Sequence, residues 1–242
     1  MIDILSLSLH PALALAKADS LFGISFNAAD AATRTNSIPM QILLLLTALT
    51  LLPAVVMCLT PFLRITIVLH FLRQAIGTQT TPSNQILVGI ALFLTILIMK
   101  PVLGDIYSNS WKPMEDGKLT AEQAFDTGSK PLKKFMLRTT REKDLRLFVE
   151  ISKSEAPRTP DDVPLSVAIP AYIISELRTG FQIGAVLYLP FLVVDLVIAS
   201  VTLSVGMVQL PPAMVSAPLK ILLFVLVDGW NLIVGSLVKT FG

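Results

Sequence analysis

Apolar positions along this chain gather into four long blocks separated by one polar stretch. The first block is Ile38 to Leu59, and its centre, QILLLLTALTLLPAVV, carries no charge. Pro53 lies inside it. In a membrane a proline kinks a helix rather than ending it, because neighbouring groups satisfy the freed carbonyl. Pro61 then opens FLRITIVLHFLRQAIG, which Arg64 and Arg73 punctuate and Gly77 and Pro82 close. That pattern predicts either an amphipathic interfacial segment or the continuation of a hairpin. The second block is Ile86 to Leu103, with Asn84 at the N-cap position and Lys100 and Pro101 near the far end. Its uninterrupted apolar core is short for a full span. The third block, Leu165 to Met207, has Glu176, Arg178 and Asp195 embedded in it, and the fourth, Val215 to Val238, contains Lys220 and Asp228. Apolar runs of roughly 18 or more residues are long enough to cross a bilayer as helices.

The segment from Gly104 to Pro164 differs in kind. It is polar, yet Phe135, Met136, Leu145, Phe148, Val149 and Ile151 recur like the apolar face of a helix. This spacing predicts a small helical extramembrane domain. Its acidic and basic residues nearly balance, and its length sits at the ~60-residue limit of the positive-inside rule, so charge gives no orientation. The organisation expected is a leader at 1–37, a first apolar hairpin at 38–103, the polar domain at 104–164 and a second apolar hairpin at 165–242. In the leader, Ala14-Leu15-Ala16 resembles a signal-peptidase site, but no Lys or Arg precedes it, and His10 and Pro11 interrupt the apolar stretch. A signal peptide and a disordered leader both remain open.

Composition sharpens the membrane reading. Of 242 residues, 53% are hydrophobic and 15% charged, and the mean hydropathy is +0.72. A soluble domain of ordinary composition carries about 25% charged residues. The formal net charge of +2 gives no footprint for nucleic acid. One cysteine, Cys58, cannot form an internal disulfide, and two histidines, His10 and His70, restrict acid–base chemistry near neutral pH. Neither HExxH nor GxSxG occurs, which argues against an intramembrane protease or hydrolase. A small-solute transporter would suit broken helices and intramembrane charges, but four apolar elements are few and no inverted repeat is visible.

Eight charges punctuate the apolar blocks: Arg64, Arg73, Lys100, Glu176, Arg178, Asp195, Lys220 and Asp228. Each costs at least about 2.5–3.5 kcal/mol at the centre of a bilayer. Arg73 and Lys100 lie near segment ends and can snorkel. Glu176 and Lys220, of opposite sign, form a candidate ion pair between hairpin arms; a proton relay is the alternative. Asp195, a short side chain with apolar runs on both sides, is poorly suited to snorkelling. Pro53, Pro61, Pro170, Pro190, Pro211, Pro212 and Pro218 break the same blocks, and such backbone must be buried in protein or line a cavity. Gly180 and Gly184 form a small-xxx-small stripe suited to close helix approach. Met207-Val208-Gln209-Leu210, before Pro211-Pro212, is read either as a hydrophobic turn or as a deformable apolar collar able to close a pore by dewetting.

Three long stretches carry a resemblance. They are TPFLRITIVLHFLRQAIGTQTTPSNQILVGIALFLTILIM, IPAYIISELRTGFQIGAVLYLPFLVVDLVIAS and MVQLPPAMVSAPLKILLFVLVDGWNLIVGSL. From about Ile38 onward the chain resembles the FliP family, and FMLRTTREKDLRLFVEIS is similar to its flagellar branch. The resemblance implies an all-α membrane protein whose kinked hairpins stack into a helical, conical homo-oligomer, a pentamer by family implication. It implies assembly with FliQ and FliR, near FlhA and FlhB, in the inner membrane at the flagellar basal body, with much of the complex projecting to the periplasmic side. The function implied is a gate passing unfolded flagellar export substrates, with no catalytic site and no cofactor. By the same resemblance Met207, Val208, Gln209 and Leu210 fall at a pore gasket. Glu176 and Lys220 match charged subunit-contact positions, and Asp195, Arg64 and Asp228 are structural or inter-subunit charges. Phe135 and Phe148 fall where the extramembrane domain self-associates; left exposed in a lone domain, they would mark an interface.

Overall fold

The computed structural model describes residues 37–78, 80–153, 159, 162–207 and 211–241. Every regular element among them is a helix: α1 Ser37–Leu59, α2 Phe62–Ile76, α3 Asn84–Ile106, a π-helical turn at Tyr107–Trp111, α4 Lys112–Glu115, α5 Ala121–Thr139, α6 Glu142–Ser152, α7 Leu165–Ser204, α8 Pro212–Leu226 and α9 Gly229–Lys239. The chain divides into two compact units, Met1–Leu52 and Pro53–Gly242. The first ends within α1, whose part up to Leu52 is predominantly apolar, with Leu44, Leu46 and Leu49 exposed. A helix without a polar face is one that lipid or other protein covers.

The second unit is built around α2. Ile65, Val68, Leu69, Leu72, Ala75 and Ile76 recur at three- and four-residue steps, so they share one face, and all are buried. Each large aliphatic side chain hidden in this way contributes about 1.5–3 kcal/mol. Gly77 ends the helix in the left-handed region at φ 83°, its N–H bonded to the Gln74 carbonyl at 3.0 Å. The interfacial reading of FLRITIVLHFLRQAIG is therefore corrected. Because α3, α7 and α8 pack over it, this segment is the most deeply buried among the described residues.

Against α2 lie α3, the N-terminal half of α7 and α8, and residues of α5 and α9 complete one core that includes Leu87, Ala91, Met99, Phe135, Met136, Tyr172, Phe191, Phe224, Leu237 and Phe241. Only a narrow stripe of α3 is buried: Leu87, Ala91, Thr95 and Met99, four residues apart. Phe93, Ile96 and Leu97 on its other sides are exposed. The helix also runs straight through Lys100 and Pro101, so its apolar length exceeds the sequence expectation. Ser83, not Asn84, occupies the N-cap, and the Asn84 side chain instead accepts from Arg73 Nη1 at 2.5 Å.

The π-turn delivers the chain into the polar segment. There Ser110 Oγ donates to the Ala124 carbonyl at 2.5 Å, and a Cβ placed on Gly128 would lie 2.9 Å from that oxygen. A glycine at this point lets α5 touch the turn. Thr120 and Gln123 form a reciprocal capping box that starts α5. A second, smaller core of Val163, Val167 and Ala168 is packed by Leu137, Leu145, Phe148 and Val149, which seats α6 on the start of α7.

By length and composition three helical stretches can cross a membrane: Ile42–Leu59, Asn84–Glu115 and Leu165–Ser204. A fourth is formed if Pro212–Leu226 and Gly229–Lys239, bent by 66°, count as one. At 1.5 Å per residue, a 40-residue α7 is roughly 60 Å long, twice the hydrocarbon thickness.

Candidate functional site

The SELRTGFQIG stretch of α7 explains the placement of the polar groups. Helical periodicity sorts it onto two faces. Ser175, Arg178 and Gln182 turn toward the polar segment: Ser175 Oγ accepts from the Arg141 N–H at 2.9 Å, Arg178 Nη1 approaches Asp144 Oδ1 at 3.9 Å, and Gln182 Oε1 accepts from Arg141 Nη2. Glu176, Gly180 and Gly184 turn toward α2. A Cβ on Gly180 would stand 3.2 Å from Ile67 Cβ, and one on Gly184 would stand 2.6–2.9 Å from Phe71. The small residues thus set the α2–α7 separation, as expected of the Gly180/Gly184 stripe. Phe71 and Phe181 then meet edge to face, with centroids 5.6 Å apart.

At the centre of that contact Glu176 is completely buried and receives both forks of one guanidinium. Arg64 Nε donates to Oε2 at 2.7 Å and Arg64 Nη2 to Oε1 at 2.5 Å. Bidentate pairing of this kind fixes orientation as well as charge. The third side of Arg64 is used as well. Its Nη1 donates to Thr240 Oγ1 at 3.1 Å, and its carbon centre lies 4.1 Å above the ring of Phe241.

A second ion pair lies farther along α7. Lys220 Nζ of α8 donates to Asp195 Oδ2 at 2.5 Å, and Ser216 Oγ donates to Oδ1 at 2.6 Å. Lys220 is buried, whereas about a third of the Asp195 side chain is exposed. The expected Glu176–Lys220 pair is therefore corrected, since each residue has a different partner. Their positions on the packed helices decide this: Glu176 lies a guanidinium's reach from α2, and Lys220 stands one helical turn after Ser216, facing the distal half of α7. Asp228 joins neither cluster. It occupies the left-handed residue at the α8–α9 bend, φ 50°, where its Oδ2 accepts from Asn231 Nδ2 at 3.2 Å. At the next residue, a Cβ on Gly229 would fall 2.1 Å from the Phe224 ring, so the close turn requires glycine there.

Of the gasket residues, Met207 is half-exposed just after Gly206, a left-handed residue at φ 80°. Val208, Gln209 and Leu210 lie outside the described residues. Phe135 is buried and its ring faces Tyr172 at 6.4 Å, while Phe148 is half-buried on the smaller core. Neither ring is exposed, because α7 covers both; Leu147 and Ile151, 47% and 63% exposed, are the large apolar residues that α6 leaves open. Among the described residues no three His, Cys, Asp or Glu side chains cluster as metal ligands.

A family model described as the FliP family matches residues 45–237, which include the PAYIISELRTGFQIG stretch and both buried ion pairs. The chain belongs to the FliP family. It is 47% identical over 205 residues to the flagellar biosynthetic protein FliP of Pectobacterium carotovorum subsp. carotovorum, covering 85% of this chain and 80% of that protein. The FliP of Bacillus subtilis (strain 168) is 48% identical over 201 residues, 83% of this chain and 91% of that one. The FliP of Caulobacter vibrioides is 44% identical over 234 residues, covering 97% of this chain and 86% of its own length. This FliP-family chain is thus a helical membrane protein in which Arg64 pairs with Glu176 and Lys220 with Asp195 between helices. Several residues of its polar clusters escaped the sequence reading: Ser175, Arg138, Arg141, Ser216, Thr240 and Phe241. The available signal was helical spacing, since Ser216 stands one turn from Lys220 and Ser175 one residue from Glu176.

Proposed function

We propose that this chain is a subunit of the protein-conducting export gate of the flagellar type III secretion system, passing unfolded flagellar subunits across the inner membrane. Membership of the FliP family carries the reading. The distribution of polar and apolar surface supports it. Arg64, Glu176, Asp195 and Lys220 are neutralised in pairs inside the chain, so they leave no charged path through a single copy. Large apolar side chains on α1, α3, α7 and α8, among them Phe93, Val193, Leu196 and Leu226, remain uncovered. Continuous exposed apolar surface marks an interface with protein or lipid. Sister copies, FliQ and FliR cover it in this reading, with FlhA and FlhB beside them.

The mechanism is physical rather than catalytic. Met207, Val208, Gln209 and Leu210 of each copy form an apolar collar round the conduit at a basal-body gate. The collar excludes water when closed, and an entering chain displaces it and is then gripped by it. The hairpins at 38–103 and 165–242 stack around the conduit, and 104–164 carries the extramembrane contacts, with Phe135 and Phe148 buttressing them from inside.

The test is expression in a flagellated strain lacking its own gate subunit, followed by mild detergent extraction. The expected result is restored swimming and a large particle containing small membrane partners. Restored swimming by a chain that extracts as a monomer, free of such partners, would overturn the proposal.

A further inference from the structure

Arg64 makes more contacts than pairing with Glu176 requires. Two of its N–H groups hold the carboxylate, a third reaches Thr240 Oγ1, and its flat face is covered by Phe241. Phe241 itself is 3% exposed, and its backbone carbonyl accepts from Arg138 Nη2 of α5. The end of α9 is therefore held by charged groups from α2 and α5 at the point where α7 places its buried carboxylate. These residues lie beyond the 45–237 region that the family model matches.

We propose that Thr240 and Phe241 form a clasp that locks Arg64 onto Glu176. Arg64 is the positioning residue, and the clasp makes the docking of α9 and the α2–α7 contact one cooperative event. The physical basis is desolvation. An aromatic face laid over a guanidinium excludes water from the ion pair while keeping a favourable electrostatic contact, which an aliphatic side chain does not supply. With the clasp open, water reaches Arg64 and the pair loosens; with it closed, Glu176 is committed to its own chain. This goes beyond the gate reading, and the measurement below does not depend on it.

Lys239, exposed and immediately before Thr240, supplies the readout. Trypsin cuts there when the clasp opens, and in the regime where reclosing outpaces cleavage the rate follows the open population. The full chain, purified in detergent, is incubated with trypsin, and release of the residues after Lys239 is followed by intact mass. Phe241→Leu, which keeps apolar volume but removes the ring, is expected to accelerate cleavage about tenfold. Phe241→Tyr, which keeps the ring, should stay within about twofold of the parent. Arg64→Lys should match Phe241→Leu, and the double variant should cleave no faster than the faster single one, because both remove one coupled unit. Rates for Phe241→Leu and Phe241→Tyr that both equal the parent's, or effects of Arg64→Lys and Phe241→Leu that multiply in the double variant, would overturn the clasp.

Discussion

Consider removing one partner of the Arg64–Glu176 pair. The two side chains are 4% and 0% exposed, so solvent screens neither charge. Arg64→Met leaves the Glu176 carboxylate buried without its two donors. Breaking a buried pair from one side costs about 3–5 kcal/mol, since the remaining charge stays uncompensated. Glu176→Leu leaves a buried guanidinium and should cost a similar amount. The double variant Arg64→Met/Glu176→Leu leaves no stranded charge and should lie well above either single variant in stability, because a well-packed apolar pair of similar volume is often neutral or better. Losses at Thr240 and Phe241 occur in both Arg64→Met and the double variant, so they cancel in the cycle and leave the pair term. The assay is unfolding of the purified protein in rising SDS, followed by its tryptophan fluorescence. A coupling energy of about 3 kcal/mol or more is expected. A double variant as unstable as the sum of the singles would refute the reasoning, because additive losses mean a coupling energy of zero and no interaction between the two side chains.

Three other outcomes follow from the same geometry. Exchanging Asp195→Lys with Lys220→Asp should recover much of the assembly yield lost by either change alone, whereas exchanging charges between Glu176 and Lys220 should recover none; yield of oligomer extracted from cells separates the two. Gly184→Ala should destabilise by about 1–3 kcal/mol through overpacking, because the added Cβ meets Phe71 at Cβ as well as on the ring, so rotating the ring does not relieve the clash; SDS unfolding reads it, and a neutral result would show that α2 and α7 can separate freely. Met207→Ala with Leu210→Ala should raise ion leak through assembled gates, measured by proton uptake into cells; unchanged permeability with normal export would remove the collar.

Much of this architecture was legible in hydropathy alone, because lipid and protein cores reward apolar surface without regard to partner. The four apolar blocks, the polar insertion and the intramembrane charges are all properties of a one-dimensional pattern. Gly180 and Gly184 could also be read as a close-approach stripe, since helical spacing places them on one side. The role of α2 could not be read. Arg64 and Arg73 left an interfacial segment and a hairpin continuation both open, yet α3, α7 and α8 cover it and Arg64 is neutralised from α7. Which acid meets which base was equally hidden. Glu176 and Lys220 are complementary by sign, but sign does not fix distance. The offset between α2 and α7, set by two glycines, brings Arg64 to Glu176, and the return of α8 along distal α7 brings Lys220 to Asp195. Local sequence thus determined which segments become helices and which surfaces avoid water. The pairing of buried charges was settled only when those helices packed, because ion pairs depend on a few ångströms of relative placement and hydrophobicity has no direction.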